Sequence, residues 1–182
     1  MKIEILIVLF SLVTGGCVGS FLNVVIFRVP RNISVITPRS KCLKCNQQIK
    51  WFDNIPLLSW ILLSGKCRYC KENISFQYPL IEVTSALFFL LCNYAKPHYY
   101  ENFSRGFLLV AGWIFVSILI SLSVIDMKTF YLPQKIITIG WISGLIIILI
   151  NSIKLEFLYS LEYFLSHLAA AIIGFLGFEF LR

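Results

Sequence analysis

Charge is scarce in this chain of 182 residues. Asp, Glu, Lys and Arg together make up 14% of it, where a soluble domain carries roughly 25%. That shortage excludes an ordinary water-soluble fold. Hydrophobic residues reach 58% and mean hydropathy is +0.83, more apolar surface than a domain of this length can turn inward, so the solvent has to be lipid. The same numbers exclude a disordered chain. Ten glycines leave no room for a collagen-like repeat, and six cysteines in a chain this long are too sparse for a small disulfide-built scaffold. Acidic residues are the scarcest charge: nine in all, of which only Asp53 and Asp126 are aspartates. The two histidines, His98 and His167, have no metal-ligand spacing. No glycine fingerprint of the dinucleotide type follows a strand, and no internal repeat or low-complexity segment stands out. The net charge of +7 in so apolar a chain records membrane topology before nucleic-acid binding, so no nucleic-acid partner is expected.

What the chain has in abundance is long apolar runs. Ile5 to Phe27 supplies 23 residues without a charge, enough for a bilayer core that needs about 20 and longer than the roughly 7–15 apolar residues of a secretory signal. Later candidates are 80–95, 106–125, 136–153 and 164–181. The reading is an all-α integral membrane protein of about five transmembrane helices with a small cytoplasmic zinc-ribbon-like loop: a first helix at 1–27, the loop at 28–79 and a helix bundle at 80–182. Between Arg28 and Pro79 lie nine of the sixteen Lys and Arg, opposed only by Asp53 and Glu72. Such a loop belongs on the cytoplasmic side. Alternation then puts the amino terminus and the 96–105 and 154–162 loops outside, and the 126–135 loop inside.

Within that loop, Cys42-x-x-Cys45 is followed by Cys67-x-x-Cys70. Two close pairs can gather four thiolates around one tetrahedral zinc, each pair forming one knuckle of a ribbon. The alternative is paired thiols or disulfides, which a reducing cytosol disfavours. Four cysteines close the coordination shell and leave no position for water, so the metal reads as a structural staple. Cys17 and Cys92 read as small apolar residues packed in helices. Between the pairs runs Trp51-Phe52-Asp53-Asn54-Ile55-Pro56-Leu57-Leu58-Ser59-Trp60, too short to span. It lies either at the membrane interface, where Trp is at home, or as the hydrophobic filling of the ribbon.

Gly19-Ser20-Phe21-Leu22-Asn23, Arg28-Val29-Pro30, the four cysteines, the ten-residue stretch between them and Tyr78-Pro79-Leu80-Ile81-Glu82, taken in that order, resemble the prepilin leader peptidases, also called type 4 prepilin peptidase and N-methyltransferase. The resemblance runs from about Gly19 through Pro133. It implies a multi-pass aspartic endopeptidase of the bacterial inner membrane, with zinc loop and active site cytoplasmic, that removes the leader from type IV pilin-like precursors. Many such enzymes also methylate the new amino terminus, which requires S-adenosylmethionine. The family's first catalytic aspartate lies in a stretch like Val124-Ile125-Asp126-Met127-Lys128-Thr129-Phe130-Tyr131-Leu132-Pro133, so the resemblance carries that role to Asp126. Gln134 stands where the family usually has an aspartate.

Asp126 also invites attention on chemical grounds. It ends a run of 20 uncharged residues, where partial desolvation and a second nearby carboxylate would raise a carboxyl pKa; without the resemblance it would read as the polar residue that ends a span. An aspartic dyad needs two members, one taking a proton from water while the other polarises the scissile carbonyl. In the family the second lies in a G-x-G-D motif, which these 182 residues do not contain. The expectation is that the chain stops just short of it, after Ala169 to Arg182. The gene is then truncated, or a separate C-terminal fragment supplies the aspartate, or another carboxylate substitutes, Glu72, Glu82 and Glu179 being on the inner side. Glu82 is expected to orient substrate or to pair with a basic neighbour. Two other readings stand beside the enzyme: a degenerate, non-catalytic membrane adaptor whose ribbon serves pilus or type II secretion assembly, and a zinc-stapled membrane module with no tie to pilins.

Overall fold

The computed structural model describes residues 2–94, 105–153, 165–170 and 172. Among them the chain is helical, with no strand and only two isolated bridges, Lys41 to Gln48 and Lys66 to Asn73. Helix α1 (Lys2–Arg28) is apolar on all sides, the character of a helix that meets lipid or protein all round. It ends where Pro30 removes a backbone donor and disfavours helix in the residue before it. A 3₁₀ turn, Val29–Arg31, follows, closed by Asn32 in the left-handed region at φ 56°. Arg28 is buried and folds back, its two terminal nitrogens donating to the carbonyls of Ser34 at 2.9 Å and Pro38 at 2.8 Å. The loop after α1 is thereby drawn against the helix end.

The loop contains a second 3₁₀ turn, Trp51–Asn54, and the short helix α2 (Leu58–Leu62) before α3 (Gln77–Tyr94) begins with Pro79 in its first turn, a position that suits proline. The buried residues of α3 recur every three or four positions, at Glu82, Ser85, Ala86, Phe89 and Asn93. That stripe lies antiparallel on α1: Tyr78 faces Asn23, Glu82 faces Gly19 and Ala86 faces Gly15. A β-carbon on Gly15 would stand 2.6 Å from the Ala86 Cα, and one on Gly19 2.7 Å from the Glu82 Cα. Only glycine permits so close an approach, the small-xxx-small packing of membrane helices.

Helix α4 (Arg105–Thr129) completes the group. Trp113 stacks on Phe89 at 4.9 Å with 6° between the planes and donates its indole N–H to the Phe89 carbonyl at 3.1 Å, while Asn93 donates to Ser11 at 2.7 Å. At the other end Leu22, Ile26, Ile81, Ile125 and Ile136 form the apolar core. Cys92 packs near Gly112 and Cys17 is exposed on α1. Helix α5 (Gln134–Ile153) starts after Pro133.

The chain divides into two compact units, Met1–Ile137 and Thr138–Arg182. The second holds most of α5 and the helical residues 165–170. Two segments, Glu4–Arg31 and Gly106–Thr129, are long and apolar enough to cross a membrane, and Gln134–Ile150 is a shorter apolar helix. Of the five expected spans, the one at 80–95 forms a helix carrying buried Glu82, Ser85 and Asn93. The one at 164–181 lies mostly outside the described residues.

Candidate functional site

The two cysteine pairs fold into two copies of one device. The amide of Cys42 donates to the Gln47 carbonyl at 3.0 Å and that of Asn46 to the Cys42 carbonyl at 2.9 Å; twenty-five positions on, Cys67 donates to Glu72 at 2.8 Å and Lys71 to Cys67 at 3.1 Å. Asn46 and Lys71 both turn through the left-handed region, at φ 57° and 60°. Ile49 bonds Ser40, and Ile74 bonds Gly65, in the same register. This corrects the expectation of no internal repeat. Residues 40–49 recur as 65–74, sharing only lysine, both cysteines and isoleucine, too few identities to register without the matched hydrogen bonds.

The knuckles bring Cys42, Cys45, Cys67 and Cys70 together, with all four sulfur atoms within 4.8 Å of one another. Cys42 and Cys70 Sγ stand 3.8 Å apart, close to the roughly 3.8 Å edge that a tetrahedron with zinc–sulfur bonds of about 2.3 Å requires. The cluster therefore fits a zinc ion. Amides of Cys45 and Lys44 donate to the Cys42 sulfur and outweigh its desolvation, lowering that thiol to about 7. Cys70 receives the Glu72 amide, yet desolvation and the neighbouring thiols of Cys45, Cys67 and Cys42 push it up to about 11. A cation among these sulfurs would relieve that crowding of like charges.

The segment between the knuckles is anchored from both sides. Asp53 takes a forked pair of hydrogen bonds from Arg68, which lies between Cys67 and Cys70 and also covers the Phe52 ring at 5.4 Å. The Arg68 guanidinium holds the Asp53 carboxyl below the usual carboxylate range. Trp60 packs on Phe76 at 5.9 Å and over Gly65, whose φ of +67° and crowded α-carbon leave no space for a side chain. Trp51, in contrast, is 81% exposed. Trp60 thus fills the ribbon, while Trp51 faces outward.

A cavity of about 780 Å³ opens between the ribbon, the carboxyl half of α1, the start of α3 and the end of α4. Three acids line it. Asp53 is held by Arg68, Glu72 pairs with Lys44 at 3.6 Å, and Glu82 accepts the Leu57 amide at 2.8 Å. The basic partner expected for Glu82 is thus replaced by a backbone amide. Lys128 also lines the cavity and donates to Gln77, joining the end of α4 to the start of α3.

Asp126 is placed differently. It sits one residue after Ile125, which is fully buried in the core, and is itself exposed on the last turns of α4 and outside the cavity lining. Its carbonyl accepts the amide of Phe130, whose φ of 49° breaks the helix. Glu179 lies outside the described residues. Sequence reasoning gave no role to Asn23, which bonds the Gly19 and Tyr78 carbonyls. Nor did it name the Gly15-x-x-x-Gly19 spacing, a packing signal legible in any apolar 20-residue run.

Residues 13–96 match the bacterial peptidase A24 N-terminal domain, a span that takes in most of α1, the ribbon and α3. The chain is 38% identical over 177 residues to a prepilin leader peptidase/N-methyltransferase of Myxococcus xanthus, covering 97% of this chain and 48% of that protein. It is 42% identical over 138 residues to the protein of the same description from Vibrio cholerae, covering 70% and 51%. It is also 39% identical over 140 residues to an Escherichia coli type 4 prepilin-like proteins leader peptide-processing enzyme, covering 67% and 49%. The chain spans about half the length of the curated relatives it matches. No solved structure matches it.

Proposed function

The chain belongs to the prepilin leader peptidase/N-methyltransferase family over the span it shares with its relatives, and on that premise we propose that it forms the amino-terminal part of an aspartic endopeptidase of the bacterial inner membrane. Its substrates are type IV pilin-like precursors, from which it removes the leader on the cytoplasmic face. The observation that carries this reading is the 38% identity extending over 97% of the chain, which goes well beyond the four-cysteine ribbon.

In this reading Asp126 is one carboxylate of the dyad. Ionised, it takes a proton from the attacking water; the second carboxylate, protonated, polarises the scissile carbonyl and then protonates the leaving amine. That second group would come from a G-x-G-D segment outside these 182 residues. Cys42, Cys45, Cys67 and Cys70 would hold a structural zinc, which supplies cross-linking of the loop and no open coordination site. Glu82, on the cavity wall, orients substrate through the Leu57 segment it holds. S-adenosylmethionine would supply the methyl group where the new amino terminus is methylated, and we assign no residue to it.

The test is cleavage of a pilin-like precursor by the lipid-reconstituted chain, with and without a fragment carrying G-x-G-D. The chain alone should be nearly inactive. The pair should cleave, since separately inserted membrane helices can reassemble, and Asp126→Asn should lower the rate by roughly 10³-fold or more. Cleavage retained in Asp126→Asn would remove Asp126 from the mechanism. The exposure of Asp126 outside the cavity favours one second reading, a non-catalytic membrane adaptor in pilus or type II secretion assembly. It predicts intact precursor under every one of these conditions.

A further inference from the structure

Most of the loop between α1 and α3 is basic, but the stretch from Trp51 to Gly65 contains no lysine or arginine. It also touches the helices at an unexpected level. Pro56 packs against Gly16, its Cβ 3.5 Å from the place a β-carbon on Gly16 would take. Gly16 is about 18 Å along the helix axis from Arg28 at ~1.5 Å per residue. Leu57 meets Glu82, whose α-carbon abuts Gly19, about 14 Å from the same end. A bilayer core is about 30 Å thick, so these contacts lie near the middle of the span that α1 would make.

The outward side of this stretch is apolar. Leu58 is 50% exposed, Ile61 65% and Leu62 72%, and on α1 Val13, three residues before Gly16, is also exposed. Irregular backbone at that depth is tolerated when its polar groups are satisfied by protein, and the groups around this turn have such partners. The carbonyls of Ile55, Pro56 and Leu57 accept from the amides of Ser59, Leu58 and Ile61. Leu57, at φ 60° and ψ −49°, centres the uncommon and strained form of the γ-turn, and its amide is the one that Glu82 takes. A buried carboxylate thus completes the hydrogen bonding of the turn.

We propose that Ile55–Leu62 is a re-entrant element dipping into the hydrocarbon of the bilayer beside α1, with acyl chains covering Leu58, Ile61 and Leu62 and with Glu82 as the residue that positions its turn. The inference rests on α1 crossing the membrane, as in the function proposed above. The knuckles, which carry the lysines and arginines on either side of the stretch, then stand at the headgroup level, where anionic lipid attracts them.

The test places a photoreactive amino acid, one position at a time, in the full chain inserted in vesicles of phosphatidylethanolamine and phosphatidylglycerol. The positions are Ile61, Leu62, Val13 on α1 and Leu43 on the first knuckle. Lipid adducts at Ile61 and Leu62 should match Val13 and exceed Leu43 severalfold. Glu82→Leu should lose the Ile61 adduct with zinc content unchanged, and Glu82→Gln, which keeps an acceptor, should retain it. Adducts at Val13 with none at Ile61 or Leu62, or adducts there only with polypeptide, would overturn the inference and leave the membrane reading intact. Failure at Val13 as well would overturn both. An undiminished Ile61 adduct in Glu82→Leu would remove the positioning role from Glu82.

Discussion

Cys42 and Cys70 face each other across 3.8 Å but differ in acidity because of what the backbone aims at them. Two amides converge on Cys42, while Cys70 has one and carries the cost of three neighbouring thiols. In metal-free protein at pH about 7.5, Cys42 at about 7 is mostly thiolate and Cys70 at about 11 is not, and the thiolate is the form that reacts. Limited alkylation followed by peptide mapping should therefore modify Cys42 before Cys70, and zinc should protect both. Equal rates would show that the amides do not govern the site. Asp53 follows the opposite pH logic from a group with a raised pKa. With its folded pKa held down by Arg68, its stabilisation is complete above the unfolded value of about 3.9 and is lost as pH falls through the lower folded value. Neutral and mildly acidic solutions leave that clamp intact, so loosening of the ribbon at mildly acidic pH should instead track release of metal as thiolates protonate.

At the scale of elements, the contact that organises the bundle is α1 on α3, and it depends on two atoms that are missing. Gly15 and Gly19 let the backbones of the two helices touch, which in turn brings Glu82 within reach of Leu57 and Asn23 within reach of Tyr78. Gly19→Val should force the helices apart and destabilise the fold by about 1–3 kcal/mol, the usual range for overpacking. Unfolding of the detergent-solubilised protein, followed by loss of Trp113 fluorescence changes, is the measurement. Gly106, which has nothing within 4 Å of its β-carbon position, is the control: Gly106→Ala should leave the midpoint unchanged or slightly raised, since alanine is the better helix former.

For the molecule as a whole, the nine basic residues of one loop predict a cytoplasmic loop. Reporter fusions after Lys71 and Lys128 should read cytoplasmic, and fusions after Tyr100 and Lys154 should read external. An external reading at Lys128 would separate Asp126 from the face on which the leader is cut, and the enzymatic proposal would go with it. Orientation also frames the ribbon. The cavity that it shares with α1, α3 and α4 is walled on one side by the knuckles, so loss of zinc through Cys45→Ser should loosen the whole Arg28-to-Pro79 loop, read as faster proteolysis between Lys41 and Lys71.

Some of this protein was determined by neighbours in sequence, and that part was legible. Apolar run length rests on composition alone, and the cysteine pairs needed only local turns, each closed by backbone bonds within six residues, to present their sulfurs. Their meeting as one cluster was implied by chelate spacing. The resemblance to the peptidase family rested likewise on contiguous motifs. What sequence could not decide depends on which distant surfaces touch. The repeat of the two knuckles emerged from matched hydrogen bonds and not from identities. Glu82 read as orienting substrate or pairing with a basic neighbour, and only the packing of α3 on two glycines of α1 set its carboxylate against a strained amide 25 residues earlier. Which side of α4 Asp126 takes was equally a matter of packing, settled residue by residue: Ile125 turns into the core and Asp126, one step of 100° further round, turns away from it. Helix packing is a long-range choice among faces, and only the tertiary structure makes it.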